Sequence, residues 1–297
     1  KSVSNHYYES RQFDSEEIGF FNGADAAINA IFNSFGDRDE IFLTTNPTFG
    51  YYSPCSEIQG MSTRTCAYEG ENFLFPIKRF KEKIIKHKPK LIFICNPNNP
   101  TGTVLSAQEI IKLANLNKKS LIVVDELYEK FNGDSLLPVI DFKKIKNIVV
   151  IQSLSKTAGL AGLRIGFTFG HKSIMQYINK VTGPYDVNSF AVTAALAALN
   201  DKSYIDNYVA EVKKARVIIE KKFESVAIRK HFGGGNYFLI WPKKNPEVLT
   251  RQMREKGILI REMKNKKDIE NSIRVSIGTQ EQMSFFWSTY KKLDLNN

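Results

Sequence analysis

The sequence predicts an α/β protein built around a parallel sheet, and three stretches carry that prediction. Leu91-Ile92-Phe93-Ile94-Cys95, Leu121-Ile122-Val123-Val124 and Ile148-Val149-Val150-Ile151 are continuous apolar runs. Unbroken apolarity, rather than alternation, marks strands covered on both faces. Each run leads into a polar loop, and in open α/β sheets the loops past the carboxyl ends of the strands form the ligand crevice. At 297 residues the chain can hold one large domain and a smaller one.

Composition narrows the function. Lys+Arg 42 against Asp+Glu 31 leaves a net charge of +11, with a pI near 9.4, which favours anionic ligands. The basic residues are spread through 78–90, 213–230 and 264–267; helical spacing puts most of them on solvated faces, which argues against nucleic-acid binding. Cys55, Cys66 and Cys95 are widely spaced, and His6, His87, His171 and His231 lack ligand spacing, so neither a disulfide frame nor a metal site is expected. No apolar run approaches the roughly 20 residues that span a bilayer, and no signal peptide is visible. These features fit a soluble cytoplasmic protein. The chain opens on Lys1-Ser2-Val3 without Met, so an upstream segment is expected to be missing.

In chain order, Ile28, Ile31, Phe32 and Phe35 define one helical face, with Asn22 as its cap and Gly23-Ala24-Asp25 at its start. Small residues there leave backbone N–H groups open to a phosphate. A short strand over 41–45 precedes Asn46-Pro47-Thr48-Phe49-Gly50-Tyr51-Tyr52; in an extended segment only one of the two tyrosines faces a given pocket. Asn96-Pro97-Asn98-Asn99-Pro100-Thr101-Gly102 is a rigid turn at a strand end. Ser106 and Glu109 form a capping box for a helix through Leu116. Asp125 ends a buried strand, where a carboxylate requires a partner, and Glu126 is given a supporting role.

The loop beyond Ile151 carries the chemistry. Ser153-Leu154-Ser155-Lys156-Thr157 and Arg164 bring hydroxyls, an amine and a guanidinium to a strand end. A lysine in a partly dry pocket loses its proton readily and can condense with an aldehyde to a Schiff base. Arginine offers a fork to an oxyanion, so the set suits a phosphorylated aldehyde. Beyond it come a strand over 162–170, a helix over 174–181, helices over 189–199 and 204–225, strands over 236–241, 258–261 and 272–276, a helix over 247–256 and a closing helix. Gly233-Gly234-Gly235 has no lysine or helix start at phosphate-cradle offset and is expected to be a flexible lead into the next strand. Arg274 alternates with apolar neighbours; on a buried face it needs an anion, either a substrate carboxylate or a structural ion pair.

Several of these stretches, taken together and in order, resemble the fold-type I pyridoxal-phosphate aminotransferases (class I/II), in the branch that contains histidinol-phosphate aminotransferase. The resemblance runs from about Phe21 to Thr279. It rests on the loop around Lys156, the G-A-x turn at Gly23, P-T-x-G-x-Y ending at Tyr52, N-P-x-N-P-T-G at Asn96, D-E-x-Y at Asp125 and P-Y-x-V-N at Pro184. It implies a large three-layer α/β/α domain with a mostly parallel sheet over 1–202 and a smaller C-terminal α/β domain over 203–297. It implies pyridoxal 5'-phosphate bound to Lys156, which then acts as the base. Asp125 would hold the pyridine nitrogen protonated, Asn99 and Tyr128 would contact the ring oxygen, and Tyr52 would stack on the ring. Gly23, Ala24, Asp25, Ser153, Ser155 and Arg164 would complete the cofactor site, with Arg274 and Arg261 on the substrate. Small amino and keto acids as substrates and a homodimer follow, without nucleic acid or membrane. The R-Y-P motif of the subgroup's N-terminal arm is absent, although Tyr7 and Tyr8 lie near the start. A decarboxylase of a phosphorylated amino acid, like threonine-phosphate decarboxylase, and a cofactor-sensing regulatory domain are the competing readings.

Overall fold

The structure, a computed structural model, describes residues 2–3, 13–132 and 134–296; His6, Tyr7 and Tyr8 lie outside the described residues. Seven strands form the larger sheet: β1 Ile18–Phe21, β2 Ile41–Asn46, β3 Ser62–Ala67, β4 Leu91–Cys95, β5 Leu121–Asp125, β6 Ile148–Ser153 and β7 Gly166–Gly170. Their order is β1-β7-β6-β5-β4-β2-β3. Neighbours from β3 through β2, β4 and β5 to β6 pair in parallel, and β7 runs antiparallel to both β6 and β1.

The continuous apolar runs are explained by burial on two sides. Ile92, Ile94, Ile122, Val124, Ile148 and Val150 belong to one core, and Leu91, Phe93, Leu121, Val123, Val149 and Ile151 to another. Successive side chains of a strand point to opposite faces, so each run divides residue by residue between two dry layers. Helices α1 Ala24–Phe35 and α2 Tyr52–Ile58 cover the second face, and α3 Ile77–His87 and α4 Ala107–Leu116 the first. A short helix α5, Glu129–Asn132, follows β5, and α6 Lys172–Lys180 joins the α1 side through Met175 and Ile178. Odd-numbered β5 residues face that side, which places Asp125 there as well.

The second sheet is antiparallel, in the order β10-β11-β9-β8, from β8 Lys230–Phe232, β9 Tyr237–Ile240, β10 Arg261–Glu262 and β11 Ile273–Ser276. It follows α7 Ser189–Asn200 and the long helix α8 Lys202–Glu224, and includes α9 Pro246–Glu255 before the closing α10 Gln280–Tyr290. Phe223 of α8 meets Phe238 at 5.7 Å between ring centroids, and Phe238 meets Phe286 of α10 at 6.0 Å, an aromatic seam that seats this sheet on its helices. The expected boundary after residue 202 falls at the first residue of α8.

Local expectations needed correction in five places. The cap of α1 is Gly23, at φ 84°, rather than Asn22. Ser106 caps α4 by accepting from the Glu109 N–H, but the reciprocal half of the box is missing because the Glu109 carboxylate is drawn to Lys81 and Lys112. The strand expected over 162–170 begins only at Gly166, after a single helical turn over Ala161–Leu163 and a left-handed Arg164. In place of the strand expected over 258–261 stands the two-residue β10, which shares only Arg261 with it. The Gly233-Gly235 segment is held, not flexible. The Gly234 N–H donates to the Gly102 carbonyl at 2.6 Å, and a Cβ on Gly233 would sit 2.4 Å from the Thr101 oxygen. Only glycines allow this contact between the Asn96 turn and the second sheet.

Candidate active site

The carboxyl ends of β4, β5 and β6 and the amino end of α1 face one cavity of about 260 Å³. Asp25, Asn99, Asp125, Tyr128, Ser155, Lys156, Arg164, Arg261 and Arg274 all border it. Asp125 closes its floor. The carboxylate is buried, accepts the Tyr52 hydroxyl at 2.6 Å and the Leu127 N–H at 3.3 Å, and has no ion-pair partner among the described residues. Burial pushes its carboxyl up to about 6, against the opposing pull of those two donors.

Lys156 follows β6 by three residues, and its amine lies 5.5 Å from the centre of the Tyr128 ring. Burial lowers its pKa, the Arg274 guanidinium lowers it further, and Asp125 and Asp25 oppose them. The result is an amine that gives up its proton more easily than a solvated lysine. Tyr128 is itself buried and packs edge-on against Tyr237 at 5.0 Å. Its phenol is pushed up by burial and drawn back by Arg274, so it remains a donor at neutral pH.

The opposite wall is suited to an anion. Helix α1 begins at Gly23 without a side-chain cap, so its first N–H groups are open. A Cβ at Gly23 would meet the Arg164 guanidinium at 2.4 Å, and one at Gly166 would meet the Gly23 carbonyl carbon at 2.6 Å. The two glycines therefore let β7, Arg164 and the helix end converge. Arg164, left-handed at φ 57°, pairs with Asp25 at 2.9 Å, and both side chains are more than a third exposed, so solvent screens the pair. Ser155 borders the cavity, while Ser153 is set back from it: its hydroxyl donates to the Ile165 carbonyl at 2.8 Å and lies 2.8 Å from the Ser155 hydroxyl. In this arrangement Ser153 also supports Ser155.

Tyr52 departs furthest from expectation. It is 1% exposed, packs on Phe93 and Phe49, and turns its hydroxyl to Asp125 instead of its ring face to the cavity. Phe49, three residues earlier, borders the cavity in its place. The P-T-x-G-x-Y match puts the ring at its final tyrosine, but α2 begins at Tyr52 and turns that side chain into the core, which leaves Phe49, inside the same motif, at the cavity.

Arg274 projects from β11 beside the Asn96 turn. It donates to the Asn99 amide oxygen, and its guanidinium lies 5.2 Å from the centre of the Tyr237 ring. Its Nε is buried with no hydrogen-bond partner among the described residues, and the side chain borders the cavity, where a guanidinium suits an anionic acceptor. Arg261 stands opposite Arg274 in the β10–β11 register and is exposed. Among the described residues there is no cluster of three metal-binding side chains and no helix long and apolar enough to cross a membrane.

A sequence model of the family "Aminotransferase class I and II" matches residues 3–286. The histidinol-phosphate aminotransferase of Caldanaerobacter subterraneus is 30% identical over 272 residues, covering 92% of this chain and 76% of its own. Among solved structures, the histidinol-phosphate aminotransferase of Clostridium acetobutylicum superposes with a TM-score of 0.88 at 24% identity, over 100% of this chain and 88% of the other. An L-threonine-O-3-phosphate decarboxylase from Porphyromonas gingivalis shares the fold, with a TM-score of 0.83 at 23% identity over 98% and 85% of the two chains.

Proposed function

We propose that this chain, which belongs to the aminotransferase class I and II family, exchanges an amino group between glutamate and a keto or phosphorylated partner of the histidinol-phosphate type. It is a pyridoxal-phosphate-dependent enzyme, as its family is. The observation that carries the reading is a buried carboxylate, Asp125, without an ion-pair partner among the described residues, in the same cavity as a half-buried amine, Lys156.

The residues present fit the cofactor. Asp125 lacks the positive partner that a pyridinium nitrogen would be. The uncapped end of α1, Ser155 and Arg164 suit a phosphate, and Phe49 borders the space between as an apolar wall. Bound there, pyridoxal phosphate would withdraw electrons from the substrate's Cα. Lys156 would hold the cofactor's aldehyde carbon and, once freed by the incoming amine, would carry the proton from the substrate Cα to that carbon. Tyr52 and the Leu127 N–H orient Asp125, Tyr128 and Asn99 would hold the cofactor's ring oxygen, and Ser153 steadies Ser155. Arg274 would take the substrate α-carboxylate, and Arg261 the more distant end.

The chain divides into a larger unit over 1–202 and a smaller one over 203–297. A homodimer is supported by an exposed apolar band: Tyr185 is 93% and Phe190 82% exposed, beside Phe20 at 53%. Three buried free thiols support a cytoplasmic location.

The test uses purified enzyme loaded with pyridoxal phosphate. Borohydride should leave the cofactor's mass on the peptide that contains Lys156, and L-glutamate alone should yield 2-oxoglutarate. Release of carbon dioxide from a phosphorylated amino acid, without 2-oxoglutarate, would make the enzyme a decarboxylase instead.

A further inference from the structure

Beside the cofactor cavity lies a second one, of about 290 Å³, which shares Phe49, Asn99, Arg261 and Arg274 with it. Its charged lining is of one sign. Arg261, Lys266 and Arg274 border it and no carboxylate does. None of the three forms an ion pair among the described residues.

Lys266 is placed there by backbone, not by chance. Asn265 and Asp268 are left-handed at φ 57° and 71°, and the Lys266 carbonyl accepts the Ile269 N–H at 3.1 Å. Ile269 is fully buried and anchors the turn. The amine reaches across to the β2–α2 loop, 3.3 Å from where a Cβ on Gly50 would lie. Burial and the charges of Arg261 and Arg274 lower its pKa. Three neighbouring cations without a counter-charge repel one another, and a ligand bringing negative charge relieves that repulsion.

We propose that Lys266 is a specificity-determining residue, closing with Arg261, beside the Arg274 that takes the α-carboxylate, a subsite for a second negative charge on the tail of the amino substrate. The shared chemistry is an anionic tail, either a side-chain carboxylate or a phosphate monoester. The inference rests on the transaminase reading of the adjoining cavity. It adds that selectivity is read electrostatically at the second cavity by a residue outside the cofactor site.

The experiment compares, on the holoenzyme, two donors of equal chain length: L-glutamate and L-norvaline, whose tail is uncharged. In Lys266→Met the ratio of their kcat/KM values should fall on the order of tenfold, through the KM for glutamate, and Lys266→Arg should restore most of it. O-phospho-L-serine, run in parallel, identifies which of the two tails depends more on Lys266. Inorganic phosphate should protect Lys266 of the parent enzyme from acetic anhydride, read by peptide mass spectrometry. A ratio within twofold of the parent in Lys266→Met, or a Lys266 labelled equally with and without phosphate, overturns the proposal. An enzyme that transaminates neither donor overturns the transaminase reading, and phosphate protection then decides the subsite on its own.

Discussion

Tyr52 donates its hydroxyl to Asp125 across 2.6 Å, with both side chains buried and with a Leu127 N–H at 3.3 Å as the only other donor to that carboxylate among the described residues. The bond favours the charged form, so it limits how far burial raises the acid. In Tyr52→Phe the pKa of Asp125 should rise, and the acid limb of the kcat/KM profile should move to higher pH. A hydrogen bond to a charged group is worth about 1.5–3 kcal/mol, so a displacement on the order of one pH unit is expected. An unmoved acid limb would separate Tyr52 from the chemistry.

Asp125→Asn keeps the size of the side chain and removes the charge. Loss of an electrostatic partner buried at a reacting centre typically costs about 10² or more in rate. Turnover should drop by that order while cofactor is retained, as read by absorbance after gel filtration. A variant within a few-fold of the parent would remove Asp125 from its assigned role.

Gly166→Ala introduces a Cβ 2.6 Å from the Gly23 carbonyl carbon. Backbone cannot move aside as a side-chain end can, and overpacking of this kind costs about 1–3 kcal/mol. The variant should melt at lower temperature and hold pyridoxal phosphate more weakly, because the uncapped start of α1 shifts with Gly23. Equal melting temperature and equal cofactor affinity would show that the contact is slack.

Glu129 is buried, and its Oε1 has no hydrogen-bond partner among the described residues. Burial raises its carboxyl to about 7 from the ordinary 4.5. The folded state therefore binds the proton more tightly than the unfolded chain, and the stability this contributes is present below pH 4.5 and lost as pH rises toward 7. Glu126, raised to about 8 chiefly by burial and then by the Glu129 charge, behaves in the same direction. Glu129→Gln should flatten the decline in melting temperature between about pH 5 and 8, by the equivalent of roughly 1–3 kcal/mol. Parallel curves for parent and variant would place the pH dependence elsewhere.

The parallel strands were legible in the sequence because burial on two faces leaves a signature that needs no partner to be read: every residue from Leu91 to Ile94 is apolar, whichever way it points. The candidate residues Lys156, Asp125, Tyr128, Asn99 and Arg164 come from short local motifs by resemblance, and each sits at a strand end or in the loop beyond one, bordering one cavity. Tertiary structure decided matters that depend on segments far apart in the chain. The ring at the cavity is Phe49 rather than Tyr52, because a helix begins where an extended segment was assumed. The three glycines at 233–235 are held because Gly102, more than a hundred residues earlier, lies against them. Lys266 looks like one more solvated charge among its lysine neighbours until a turn anchored by Ile269 carries it beside Arg261 and Arg274. Local periodicity records which faces are dry, whereas which loops meet is set by packing between distant elements.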